Sequence, residues 1–122
     1  MPAVSIGDLQ TIALATLPGW EQAERAAGID HANHRWLTTP AALQDIRDAL
    51  LAGIVPSGVW ITAEREPVPL TLTELQVLWA ECVARGAAIY QRRLAMEAEI
   101  TTLDRAALEA FKPAWPITGA NQ

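Results

Sequence analysis

The stretch that most constrains this chain is VWITAEREPVPLTLTELQVLW, residues 59–79. Val59, Trp60 and Ile61 are strand formers. Ala63, Glu64, Arg65 and Glu66 make a polar tip, and Val68 to Leu70 return, so a β-hairpin over about residues 59–70 is expected. Pro67 and Pro69 cannot donate to a ladder, which makes the return strand an edge. A lone two-stranded hairpin is marginal in water, so this one has to lean on a helix or on another chain. The next residues supply the helix. Thr71 and Glu74 stand in capping-box spacing. No proline then intervenes over residues 72–100, which predicts a helix about 43 Å long at 1.5 Å per residue. Leu72, Leu75, Trp79, Cys82, Gly86, Ile89, Arg93, Met96 and Ile100 alternate in steps of three and four, a heptad-like stripe that Gly86 and Arg93 weaken. Gly86 is either a place of close helix approach or a bend.

Around this junction the chain reads as short helices. In residues 38–53, Thr39 suits an N-cap, Pro40 the first helical position and Gly53 the C-terminal stop, with Leu43, Ile46, Leu50 and Leu51 on one face. Residues 20–28 are rich in helix formers and end at Gly28, a left-handed cap. The segment IDHANHRWLT after it reads as a loop. Residues 3–17 admit two readings. One is a helix capped by Ser5 or Asp8 with Leu9, Ile12, Ala13 and Leu17 on one face; the other is a short strand over Val4, Ser5 and Ile6. The helix, from about Asp8 and ended by Pro18 and Gly19, is the preferred one. A closing helix carries Leu103, Ala107, Leu108 and Phe111 and stops at Pro113. The expected fold is α+β, mainly α. Residues 1–35 form an N-terminal helical segment, residues 36–116 the main domain, and residues 117–122 a tail.

Composition excludes several classes. A length of 122 residues suits one domain. With 51 % hydrophobic and 19 % charged residues, disorder is not expected. The net charge of -5 and the scattered basic residues argue against nucleic acid, whose phosphates need clustered Lys and Arg. One cysteine, Cys82, allows no internal disulfide. The N-terminus lacks a basic n-region and Asp8 interrupts its apolar run, so it makes a poor signal peptide. No uncharged apolar stretch reaches the length of a membrane span. The default expectation is synthesis and residence in a cytosol.

Candidate chemistry is sparse. His31 and His34 lie three apart beside Asp30, but no third or fourth ligand is evident, so turn histidines are expected rather than a metal site. Cys82 falls on the apolar stripe with no base near it in sequence, which suits a buried thiol. Glu64 and Glu66 flank Arg65 in a solvated tip, and Glu74 is explained by capping. There is no glycine-rich phosphate loop. No catalytic residue, metal or cofactor is therefore assigned. The five tryptophans are the notable surplus. Trp60 and Trp79 suit a core between hairpin and helix, whereas Trp20 and Trp115, at or beyond element ends, suit contact with a partner.

The order of TTPAALQDIRDAL, VWITAEREPVPLTLTELQVLW, AAIYQRRLAMEAEI and TLDRAALEAFKPAWP resembles a domain-of-unknown-function family of phage and prophage tail-fibre gene clusters. The resemblance covers about residues 38–116. It departs at the hairpin tip, where Glu64 and Arg65 replace the usual Asp-Asn, and at Ala114, where the family has Gly before Trp115. It implies a virion tail protein made in the host cytoplasm, acting by protein–protein contacts at the tail fibre or baseplate. The alternative role it implies is a transient tail-fibre assembly chaperone. The family carries no agreed catalytic residues. The partner-binding residues expected on this reading are Trp60, Val68, Leu70, Trp79 and Trp115, with a possible homo-oligomer through the long helix and neither nucleic acid nor membrane as partner.

Overall fold

The computed structural model describes residues 4–117. Its elements are α1 (Ile6–Ala15), α2 (Leu17–Ala26), β1 (Ile29–His31), β2 (His34–Trp36), α3 (Pro40–Ala52), β3 (Val59–Ile61), β4 (Pro67–Pro69), α4 (Leu72–Ile100) and α5 (Arg105–Glu109), with a 3₁₀ turn over Pro56–Gly58. The fold is α+β and mainly α, with the long helix and the short C-terminal helix where the sequence places them. Two compact units divide the chain: Met1–Gln22 with Tyr90–Gln122, and Ala23–Ile89.

In the unit built on the chain ends, Ser5 caps α1 by accepting from the Asp8 N–H at 3.0 Å, so the helical reading of residues 3–17 holds. Pro18 and Gly19 do not end a helix before Trp20, as the sequence suggests. They lie in the first turn of α2, where a missing N–H does no harm. Thr16 makes the break instead, its hydroxyl donating to the Ala13 carbonyl at 2.6 Å. Ala13, Leu17, Met96, Ile100 and Leu108 form the core, with Leu9, Trp20, Leu103 and Phe111 packed against it. Ile12, expected on the buried face, is 59 % exposed. Arg93, the odd residue of the stripe, has a reason to be there. It pairs with Glu21 at 2.8 Å and with Glu97 at 3.3 Å.

In the unit Ala23–Ile89, residues expected to form a loop fold into a second hairpin, which corrects the single hairpin read from the sequence. Ile29 pairs with Trp36, Asp30 with Arg35, and His31 with His34. Ala32 and Asn33 both take positive φ, 51° and 66°, the backbone of a two-residue turn that matches strand twist. Asp30 and Arg35 add a cross-strand ion pair at 3.1 Å. Trp36 is 2 % exposed, and its indole N–H donates to the His31 carbonyl at 2.8 Å. The core holds Trp36, Ile46, Ala49, Leu75, Leu78 and Cys82. Leu51, expected inside, is 80 % exposed and Ala49 takes its place.

Buried Thr38 ties this unit together. Its hydroxyl accepts from the Gly28 N–H at 2.9 Å and donates to the Arg25 carbonyl at 2.7 Å, closing the C-terminus of α2. Gly28 has φ +86°, and a Cβ there would stand 2.7 Å from the Trp36 carbonyl oxygen. Gly86 is different. A Cβ added there meets only the end of the Arg25 side chain, at 3.3 Å.

The two glycines therefore predict opposite outcomes in urea unfolding. Gly28→Ala, which strains the backbone and strikes a carbonyl, costs more than about 2 kcal/mol. Gly86→Ala, in mid-helix against a flexible side chain, raises stability by about 0.5 kcal/mol.

Candidate functional site

The β3–β4 hairpin is built around its prolines. Leu70 N–H donates to the Gly58 carbonyl at 3.0 Å and Thr62 N–H to the Glu66 carbonyl at 2.9 Å. Val59 faces Pro69, Trp60 faces Val68, and Ile61 faces Pro67. In an antiparallel ladder bonded pairs alternate with unbonded ones. Bonding at Gly58–Leu70 and Thr62–Glu66 therefore makes Trp60–Val68 the bonded pair between them. Pro67 and Pro69 fall at positions whose nitrogens point out of the ladder, so they cost no bond. The tip is closed by Arg65 N–H to the Thr62 carbonyl at 2.9 Å and by Glu66 N–H to the Thr62 hydroxyl at 3.1 Å. Thr62 is fully buried. The next residue, Ala63, donates its N–H to the Arg35 carbonyl at 2.7 Å, which joins the two hairpins.

Helix α4 begins as the sequence predicts. Thr71 N–H donates to Glu74 Oε1 at 2.9 Å and Glu74 N–H to the Thr71 hydroxyl at 3.1 Å, a reciprocal capping box. Trp60, Val68, Leu70 and Trp79 are partly buried and pack on the core of this unit. They are thus brought together on one scaffold, each with part of its surface still exposed. Trp115 belongs to the other unit, where it meets the Trp20 ring edge-on at 5.3 Å, while Arg92 Nε donates to the neighbouring Ala114 carbonyl at 2.7 Å. The stripe of the long helix is used inside the chain: Leu75, Leu78, Cys82, Ile89, Met96 and Ile100 are all buried. Val77 and Val83 in one unit, and Tyr90 and Leu94 in the other, are the larger apolar side chains that α4 leaves exposed.

A groove of about 670 Å³ lies in the unit Ala23–Ile89. β3 lines it with Val59, Trp60 and Ile61, and α3 with Ala42, Asp45, Asp48, Ala49 and Ala52. Leu37, Ile54 and Arg65 complete its more exposed part. Ile54 is 59 % and Ile61 44 % exposed. Asp45, Asp48, Leu37 and Ile54 are residues that sequence reasoning does not single out. The helical spacing of Asp45 and Asp48 on α3 is visible in the sequence, but it reads as an ordinary solvated face until the groove beside it is known. Trp36 escapes sequence reasoning for a similar reason, because its segment lacks the usual Asn-Gly turn.

Two titratable groups among the described residues are shifted from their ordinary values, Cys82 and Arg93. Burial, with a smaller contribution from the Glu81 carboxylate, pushes the Cys82 thiol from its ordinary 9.0 up to about 11. A thiol so placed is protonated at neutral pH and is a poor nucleophile. The hydrogen-bonded Glu21 carboxylate raises Arg93 above its usual range. His31 and His34 face each other across the tight turn, and the His34 ring meets Trp36 edge-on at 5.9 Å. Among the described residues no group of three or more His, Cys, Asp or Glu is gathered where a metal ion could be held. Among the same residues no helix is long and apolar enough to cross a membrane.

Residues 8–113 match the family model described as Domain of unknown function (DUF4376), and the chain belongs to that family. No curated protein and no solved structure matches the chain.

Cys82 makes the burial of this core measurable. In the native protein its thiol should resist a disulfide reagent at pH 8 and react at once in denaturant. Its folded pKa lies above its unfolded one, so its contribution to stability is full below about pH 9 and is lost as pH rises towards about 11. Urea midpoints should fall across that window, and Cys82→Ala should flatten that part of the fall.

Proposed function

We propose that this chain is a bacteriophage tail protein that works by protein–protein contact at the tail fibre or baseplate. The tail context rests on the resemblance carried by the ordered segments of residues 38–116. The mode of action rests on one observation, the groove of about 670 Å³ flanked by half-buried Trp60 and by exposed Ile54 and Ile61. Neighbouring apolar side chains left open beside a tryptophan are what a docking surface requires. Of the residues expected to bind a partner, Trp60 lines that groove, while Val68, Leu70 and Trp79 pack on the core of the same unit. Trp115 is a separate anchor in the other unit. A second copy docking on the long helix would meet its outer residues, such as Val77 and Val83, because the inner stripe is already covered.

Peptide mass spectrometry of purified infectious particles tests the assignment. Peptides of this chain at a stoichiometry like that of fibre or baseplate proteins are the expected result. Their absence from particles that hold the fibre would move the chain to the alternative role of an assembly chaperone. Against whichever tail component co-purifies, Trp115→Ala should weaken binding by about 2 kcal/mol or more. Unchanged binding removes Trp115 from the contact.

A further inference from the structure

We propose that the free edge of β3 takes up a short extended segment of a partner chain, which lies in the groove as an added strand and carries a Lys or Arg towards Asp45 and Asp48. The register of the ladder supplies the first half. Bonding at Gly58, Trp60 and Thr62 turns the backbone groups of Val59, Ile61 and Ala63 to the opposite edge. Ala63 N–H is taken there by the Arg35 carbonyl, and Val59 N–H is taken by the Pro56 carbonyl. The Val59 carbonyl and both backbone groups of Ile61 have no partner among the described residues. The open edge is therefore bounded at both ends and spans three residues, about 10 Å of strand.

This edge gives onto the groove. Arg35 sits on it at Ala63, and the chain beyond Arg35 leads to Leu37, which lines the groove together with Ile61. The other edge of the hairpin is barred, because Pro67 and Pro69 present no N–H there. A main chain added at β3 would satisfy the unpaired groups while its alternate side chains meet Ile54, Ile61 and Ala49.

Charge selects the occupant. The lining carries Asp45 and Asp48 against a single basic residue, Arg65, a net of one negative charge. Both carboxylates are exposed, and neither has an ion-pair partner among the described residues. A strand-forming segment with a cationic side chain beside its apolar positions fits both features. The inference rests on the proposed docking role only in placing a partner chain on this unit. Its test uses no phage component, so the two can fail separately.

The test is a titration of the isotope-labelled full chain with the blocked pentapeptide KVTVK, followed by amide resonances. The Ile61 amide should move downfield, with Ala49 and Ile54 perturbed. The same peptide N-methylated at its three central amides should bind at least about fivefold more weakly, the worth of lost backbone bonds. The peptide EVTVE should also bind more weakly, and Asp45→Asn with Asp48→Asn should remove that difference. Ile61→Pro deletes the outward N–H without touching the ladder and should abolish the peptide-induced shifts of Ala49 and Ile54 while the rest of the spectrum stays native. Equal binding of the methylated and unmethylated peptides would reduce the groove to apolar contact and overturn the proposal. No Ile61 response by about 5 mM peptide, beyond any useful affinity, would also overturn it. An Ile61 resonance that moves with protein concentration instead, and that KVTVK does not compete away, would give the edge to a second copy.

Discussion

The hydrogen bond from Ala63 N–H to the Arg35 carbonyl, 2.7 Å long, is the contact on which the arrangement of the unit Ala23–Ile89 turns. Each hairpin in that unit has only two strands of three residues, too little to persist alone. The bond sits next to fully buried Thr62. It sets β2 against β3 at one point only. The chain that follows β2 reaches Leu37, which lines the groove together with Val59, Trp60 and Ile61. A second ladder bond between β2 and β3 would have used Ile61 and closed the edge.

The remaining order of the unit serves to hold that geometry. Thr38 and Gly28 fix the entry from α2, with a carbonyl placed so close to Gly28 that no side chain fits. Trp36 fills the space beneath the first hairpin and satisfies its own N–H on that hairpin's backbone. The Thr71–Glu74 capping box starts α4 two residues after β4 ends, so the hairpin is attached to the helix whose Leu75 and Leu78 share its core. A rigid base under a partly open strand presents backbone groups to another chain already in place. It lowers the entropy that binding has to overcome.

Much of this is legible in the residues because it rests on local rules. Thr39 with Pro40, Gly53, and Thr71 with Glu74 each announce a helix end through chemistry confined to a few neighbours, and each stands where that chemistry places it. The prolines at 67 and 69 likewise declare an edge strand. Features that depend on distant partners are not legible. The first hairpin uses Ala32 in a left-handed conformation that alanine rarely adopts, so its own residues do not announce the turn. Leu51 and Ala49 exchange roles because the direction of burial on α3 is set by where α4 and Trp36 lie, not by α3 itself. The same limit applies to the candidate site. Tryptophans are conspicuous in a sequence, but an unpaired N–H at Ile61 exists only once the register of β3 against β4 is known.

Whether β3 keeps an open edge in the free protein can be read from native-state hydrogen exchange resolved at single amides. Thr62, Ala63, Glu66 and Leu70, each donating to a named oxygen, should be protected together. Ile61, in the same strand, should exchange at close to the rate of an unstructured amide. Protection of Ile61 equal to that of Thr62 would mean that the edge is already closed, and that β3 has nothing left to offer a partner strand.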